Sequence, residues 1–121
     1  PPLSPAARRL AELLQHDGPA PRAHGDLAAA AEHELTDATR ALRELDRAGR
    51  AVRVARNLHY DPESRSVLVA PVRYICARDG RATIASVRDG LGTSRRYAQA
   101  LLEHLDSEKV TRRVGDAHVL R

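Results

Sequence analysis

The sequence lacks Phe, Trp and Met altogether, and its three aromatic side chains are all tyrosines. A hydrophobic core must therefore consist of Leu, Val, Ile and Ala side chains. The single cysteine, Cys76, excludes an internal disulfide and a cysteine-based zinc site. The six histidines do not show the spacing of metal ligands. These absences predict a protein that holds neither a metal ion nor another cofactor of its own.

Long apolar stretches are also missing from the chain. No segment has the length and apolar character of a membrane span, and the N-terminal "PPLSPAARRL" lacks the apolar region of a signal peptide. We therefore expect a soluble, cytoplasmic protein with no membrane partner. Because the first residue is Pro rather than Met, we expect this chain to be a fragment of a longer one.

The charged residues are distributed unevenly along the chain. Residues 1–61 carry nine Arg and nine Asp or Glu, whereas residues 62–121 carry eleven Lys or Arg and seven Asp or Glu. The whole formal net charge of +4 therefore lies in the second half. This concentration predicts that the second half binds a polyanion, although arginine replacing lysine in a GC-rich genome would give a similar composition.

Two apolar stripes with the spacing of a buried helix face recur 60 positions apart. They are Ala38, Ala41, Leu42 and Leu45 in the first half, and Ala98, Leu101, Leu102 and Leu105 in the second. Further helical segments precede each stripe, and a β-hairpin pattern follows each one. This order is that of a winged helix-turn-helix. We therefore predict a mostly α protein with small β-hairpins, built from two tandem winged-helix modules at residues 1–61 and 62–121.

Capping residues predict where the helices of the first module begin. Ser4 is a favoured N-cap, and Pro5 after it is favoured at the first helical position. A short second helix is expected from about Asp26 to His33. The third helix is expected to start from a cap at Thr36 and to end at Gly49.

The second module repeats this arrangement with one irregularity. Pro71 is unfavourable inside a helix, so we expect the first helix either to begin or to kink there. Thr83 is the expected cap of the second helix. Thr93 is the expected cap of the third helix, which spans residues 94–107, and Gly115-Asp116 is the expected turn of the hairpin.

The start of this third helix is unusually cationic. A helix N-terminus presents free N–H groups and favours negative charge, yet Arg95 and Arg96 lie there beside Thr93 and Ser94. At 100° per residue, Arg96 lies opposite the buried stripe with Gln99 near it, while Arg95 lies on the flank. The arrangement predicts a site for a phosphate group from another molecule.

The hairpin of the second module adds further positive charge. Lys109 precedes the first strand, and Arg112 and Arg113 lie within it. Because neighbouring residues of a strand point to opposite faces, only one of the two arginines can face the same partner as the helix. We expect the helix start and the hairpin, or wing, to form one nucleic-acid-binding surface.

The first module differs at the corresponding helix start. Glu34 and Leu35 occupy it, so it is acidic and apolar rather than basic. We expect this module to act as a rigid spacer or to pack against a neighbour, despite Arg53 and Arg56 in its hairpin.

No arrangement of side chains indicates catalysis. Neither a Ser/His/Asp set nor a pair of carboxylates stands out, so we predict a binding module rather than an enzyme. His104 and His118 are expected at the surface of the second module. Asp46 and Asp106 recur at the ends of the third helices, where we expect a structural role.

Residues 90–121, "GLGTSRRYAQALLEHLDSEKVTRRVGDAHVLR", resemble the C-terminal end of the bacterial selenocysteine-specific translation elongation factor (SelB type). The resemblance lies in the Gly-Thr-Ser-Arg-Arg-Tyr start, the Leu-Leu-Glu-x-Leu-Asp core and the Thr-Arg-Arg-Val-Gly-Asp wing. It implies binding to the mRNA hairpin, the selenocysteine insertion (SECIS) element, that recodes UGA in translation. The implied RNA contacts are Gly92, Thr93, Ser94, Arg95, Arg96, Tyr97, Arg112 and Arg113.

The same resemblance implies partners and cofactors for a longer protein. The ribosome and selenocysteyl-tRNA would be reached only through the full-length factor, and GTP with magnesium only by an upstream GTPase domain. This chain contains no G-x-x-x-x-G-K-[ST] phosphate-binding loop. Within the RNA-binding surface, Tyr97 either stacks on a base or packs against the core.

Two other functions share some of these features. A winged-helix transcription regulator that binds DNA would also have a basic helix start, but it would ordinarily need to dimerise. The chain has no long dimerisation helix, and we expect a monomer. A protein-interaction scaffold would use the apolar or acidic faces of its winged helices, which suits the first module better than the second.

Overall fold

The computed structural model describes residues 2–121, which form six helices and two antiparallel hairpins. The predicted fold class, mostly α with two tandem winged-helix modules, is confirmed. The chain divides into two compact units between Ser66 and Val67. The repeat predicts a change of module after residue 61, whereas the compact units divide within the fourth helix.

The first unit follows the order helix, helix, helix, hairpin. Its elements are α1 (Pro5–Asp17), α2 (His24–Ala31), α3 (Leu35–Arg47), β1 (Val52–Ala55) and β2 (Leu58–Tyr60). Ser4 is the N-cap of α1, as predicted, because its hydroxyl accepts a hydrogen bond from the Ala7 N–H at 3.1 Å. The Ser4 N–H and hydroxyl also donate to the Glu44 carboxylate, each at 2.8 Å. These bonds attach the start of α1 to α3.

The core of the first unit consists of leucine and alanine side chains from α1, α2 and α3. Both α1 and α2 pack against α3, and the predicted stripe of α3 is fully enclosed. The buried cluster contains Ala7, Leu10, Ala11, Leu13, Leu14, Leu27, Ala28, Ala38, Ala41, Leu42, Leu45 and Ala51.

Two predicted boundaries in the first unit are wrong. The second helix ends at Ala31, before His33, because Glu32 adopts a left-handed conformation with φ 59°. Thr36 does not cap α3 but lies inside it. The Ala38 N–H already donates to the Glu34 carbonyl oxygen at 3.0 Å, so the helical ladder begins two residues earlier than expected.

The second unit repeats the order, with its first helix starting before the boundary between the units. The elements are α4 (Pro62–Asp79), α5 (Ile84–Leu91), α6 (Arg95–Ser107), β3 (Thr111–Val114) and β4 (Ala117–Leu120). Pro71 lies inside α4, so the expected helix start at this residue is wrong. Proline cannot donate to the carbonyl four residues earlier. That residue, Val67, is 61% exposed, so water can hydrate its free carbonyl group.

Side-chain caps start both helices of the helix-turn-helix. Thr83 caps α5, as predicted, in a reciprocal pair with Ser86: the Ser86 N–H donates to the Thr83 hydroxyl at 3.0 Å and the Thr83 N–H donates to the Ser86 hydroxyl at 2.8 Å. Ser94, rather than Thr93, caps α6 by accepting from the Tyr97 N–H at 3.2 Å. The Thr93 N–H instead donates to the Arg88 carbonyl oxygen at 3.0 Å, so Thr93 belongs to the end of α5.

The second unit buries the predicted stripe of α6 against α5 and the wing. Its largest enclosed side chains include Val72, Val87, Leu101, Leu102 and Leu105. Gly90 allows α5 to approach α4 closely, because a Cβ atom there would lie 2.9 Å from Cδ1 of Ile75. Among the helices of residues 2–121, none combines the length and the apolar character needed to cross a membrane.

Candidate nucleic-acid interface

The wing of the second unit is attached to the body through its return strand. Strands β3 and β4 pair in register, with Arg113 opposite His118 and Arg112 opposite Val119. The backbone of His118 also pairs with Ala82, just before α5, through two hydrogen bonds of 2.8 Å each. These bonds attach the β3–β4 hairpin to the segment at Ala82, which leads into α5.

A buried polar cluster joins the wing to the end of α6. Asp106 accepts a 2.6 Å hydrogen bond from the Thr111 hydroxyl, and its carboxylate lies 2.9 Å from Nδ1 of His118. Thr111 is 0% exposed and His118 is 4% exposed. The expectation that His104 and His118 are surface residues is therefore wrong, since His104 is also buried. The predicted structural role of Asp106 fits this geometry.

The register of β3 and β4 shows which wing arginine lies beside α6. Thr111, Arg113 and His118 share the ribbon face that meets the helices, and Arg112 lies on the opposite face. Arg113 lines a cleft of about 470 Å³ together with Arg95 from the start of α6. The complete lining is Thr83, Ile84, Ala85, Arg95, Gln99, Glu103, Arg113, Asp116 and His118.

The cleft contains both positive and negative side chains. Glu103 accepts a hydrogen bond of 3.1 Å from the Gln99 amide, and the Nε–H of Arg113 donates to the Gly115 carbonyl oxygen at 2.9 Å. The four predicted arginines are all exposed, and within residues 2–121 none forms an ion pair with a carboxylate. These are Arg95, Arg96, Arg112 and Arg113. Their charges are available to an anion from another molecule.

The remaining predicted contacts lie before α6, in its first turn and after its end. Gly92 has φ 63° and ends α5, while Tyr97 is half-buried. Lys109 has φ 61°, although the corresponding residue of the first unit is Gly49 with φ 72°. A left-handed conformation costs a non-glycine residue about 1 kcal/mol. A lysine therefore stands where the backbone favours glycine, close to the wing.

The first unit has a second cationic cleft that the sequence analysis missed. It has a volume of about 90 Å³ and lies between α3 and the wing. At this cleft the buried imidazoles of His24 and His59 form a hydrogen bond of 2.8 Å between Nε2 and Nδ1. The lining residues are His24, Thr39, Arg43, Asp46, Arg53, Arg56 and His59. These residues belong to α2, α3 and the wing, which are separate in the sequence. No local sequence pattern indicates that their side chains line one cleft.

The histidine pair predicts an acid-sensitive first unit. Burial, together with the nearby His24 and Arg53, lowers the pKa of His59 to about 4, and burial lowers the pKa of His24 as well. The unfolded chain therefore takes up these protons first. Stability is complete above the ordinary histidine pKa of about 6.5 and falls as the pH approaches 4, by up to about 3 kcal/mol for His59.

Urea unfolding between pH 7.5 and 4.5, followed by the NMR signals of Leu10 and Leu42, measures this loss. Replacement of His59 by Gln removes the titrating imidazole and should flatten this pH dependence. Equal stability at pH 7 and pH 5 would contradict the prediction.

Comparison with known proteins finds a match for most of the second unit. Residues 74–120 match the family model described as "Elongation factor SelB, winged helix". The second module is therefore similar to the winged helix of this factor. The match covers nearly all of the second unit, including every residue predicted to contact RNA, and it confirms the resemblance seen in residues 90–121.

A solved structure extends the likeness to both modules. The chain is similar to the mRNA-binding domain of elongation factor SelB from E. coli, whose structure was determined in complex with SECIS RNA. The two share 24% sequence identity and a TM-score of 0.87, and the alignment covers 98% of this chain and 99% of that one. This likeness shows the tandem winged-helix fold. No curated protein sequence matches the chain.

Proposed function

We propose that the second module binds an mRNA hairpin of the SECIS type through the start of α6 and the wing. The observation that supports this most strongly is that Arg95 and Arg113 line one cleft, and neither is paired with a carboxylate of residues 2–121. The cleft lies in a module that matches the SelB winged-helix model. The E. coli SelB domain of the same fold was solved in complex with SECIS RNA.

The geometry suits the phosphates of an RNA stem. The major groove of A-form RNA is too deep and narrow for side chains to read, so a stem is recognised mainly through its backbone and shape. Arg95, Arg96 and the N–H groups of these two residues at the start of α6 would bind phosphates, with Thr93 and Ser94 beside them. Arg113 would bind from the wing, with Arg112 and Lys109 adding longer-range attraction.

The cleft itself would accept an unpaired loop base. Its volume of about 470 Å³ lies within the range of small-molecule sites. Gln99 and Glu103 offer a donor and acceptors at one wall, as base edges require. Gly92 would contact the RNA at the turn before α6, and Tyr97 would contact it from the first turn of this helix.

The chain would act as a binding module without catalysis and without a cofactor. GTP and magnesium would belong to a GTPase domain elsewhere in a full-length elongation factor, which would also contact the ribosome and selenocysteyl-tRNA in the cytoplasm. This chain would bind its RNA as a monomer. Within residues 2–121, no group of three His, Cys, Asp or Glu side chains is placed to hold a metal ion.

Fluorescence anisotropy with a labelled SECIS-type hairpin tests this function. The controls are a DNA duplex of equal length and an RNA hairpin with a scrambled loop, each across a salt series. Affinity should fall steeply with salt because phosphate binding releases counterions, and the SECIS-type hairpin should bind most tightly. Equal affinity for DNA would favour a transcription regulator, and no binding at low salt would favour a protein-interaction scaffold.

A further inference from the structure

The cleft of the first unit is built at the place that corresponds to the proposed RNA-binding cleft of the second. In both units the third helix and the wing form its walls. The 60-residue repeat relates Arg43 to Glu103 and Arg53 to Arg113. The two clefts therefore have corresponding positions in the fold, but different residues occupy some of these positions and give the clefts different charges.

The charge of the first cleft is strongly positive. In the second unit, Glu103 and Asp116 offset the two arginines that line the cleft. In the first unit, Arg43 replaces the glutamate and Arg56 adds a third guanidinium, with Asp46 as the single carboxylate. The start of α3 is acidic and apolar, but the cleft beside this helix is positively charged.

The three arginines of this cleft are not neutralised within their own unit. In the described part of the chain, no carboxylate lies within ion-pair distance of any of them. The guanidinium of Arg53 donates to the Arg56 carbonyl oxygen at 2.6 Å, which holds it at the turn of the wing. Arg43 lies on α3, so two separate elements direct positive charge into one small space.

The volume of the cleft limits what can enter it. At about 90 Å³ it is several-fold smaller than the cleft of the second unit and below the roughly 300 Å³ typical of organic ligands. A single oxyanion fits this size and charge, whereas a nucleobase with its sugar does not. Thr39, His24 and His59 also line the cleft and add hydrogen-bonding groups to it.

We propose that this cleft is a second nucleic-acid contact, which binds one phosphate of an RNA backbone through Arg43, Arg53 and Arg56. The choice of RNA as the source of the phosphate rests on the proposed function of the second module. The choice of a phosphate rests on the cleft alone, because three guanidiniums and a hydroxyl match the donors that oxyanions accept. The helix–wing face is also the face that winged helices present to nucleic acid.

NMR titration of the whole 121-residue chain tests the proposal with two probes at low ionic strength. The probes are inorganic phosphate and a blunt RNA duplex that has no loop. Each should shift the amide signals of residues 53–59 and the Nε–H signal of Arg43. Arg43→Gln should weaken duplex binding at these signals about tenfold.

Arg40→Gln is the matched control, because Arg40 is exposed on the same helix, lies outside the cleft and is 3.5 Å from Asp37. It should change nothing, and both variants should melt like the parent. Shifts at residues 53–59 that Arg43→Gln abolishes would support the proposal, whether or not the SECIS-type hairpin binds the second unit. Shifts confined to residues 90–113 would overturn it and leave the proposed function intact. Shifts with inorganic phosphate but none with duplex RNA would overturn the assignment to RNA.

Discussion

Replacing both Arg95 and Arg113 by Glu should lower the affinity for a SECIS-type hairpin about a hundredfold or more. The two side chains line one cleft from different elements, so the double change removes a cation from the helix start and another from the wing. Each arginine contact to nucleic acid contributes about 1–3 kcal/mol. Each glutamate also adds repulsion toward phosphate. Anisotropy at fixed salt measures the loss, and the salt dependence should become shallower.

Arg40→Glu is the matched control, since Arg40 is exposed on α3 and lines neither of the two clefts. With a hairpin whose stem is short enough to occupy only the second module, this change should alter the affinity less than threefold. Arg96→Glu should resemble the double variant because Arg96 is exposed at the same helix start. Equal losses from Arg40→Glu and Arg96→Glu would show that net charge, rather than the start of α6, determines hairpin binding.

Asp106→Ala should destabilise the second unit by about 2–4 kcal/mol. The carboxylate accepts the hydrogen bond of the Thr111 hydroxyl and faces Nδ1 of His118, and both partners are buried. Without it, two buried polar groups lose their partner, and each such loss costs about 1–3 kcal/mol. Because this cluster joins the wing to α6, hairpin affinity should also fall. Urea unfolding gives the stability and anisotropy gives the affinity.

Asp46→Ala is the control for this prediction. Asp46 occupies the corresponding position in the first unit, but it is exposed. Surface substitutions of this kind usually change stability by less than about 0.5 kcal/mol. A similar loss of stability in both variants would show that the Asp106 cluster is not what stabilises the wing.

The helix caps show how far local sequence signals reach. Ser4 and Thr83 were predicted correctly, because each is followed directly by a helical pattern and has no competing hydroxyl at the helix start. Thr93 and Ser94 are adjacent, and either could cap α6 by its residue type. The choice depends on the end of the preceding helix, where the Arg88 carbonyl accepts the Thr93 N–H. Arg88 lies in the last turn of α5. A pattern of capping residues at the start of α6 does not include it.

The two histidines of the second unit show a different limit. A histidine carries no signal of burial in its own type, and helical angle alone suggested that His104 faces outward. The polar partner that allows His118 to be buried is Asp106, which lies on α6, outside the hairpin of His118. The pairing of β4 with the segment before α5 encloses it further.

The amino-acid order alone establishes the two modules, their sequence of helices and wings, and the concentration of positive charge in residues 62–121. Periodicity and charge can be read along the chain because neighbouring residues carry them. Only the folded structure shows that Arg113, rather than Arg112, meets Arg95, and that Arg43 and Arg53 converge in the other unit. These facts depend on strand register and on the approach of elements distant in sequence, which tertiary packing alone decides.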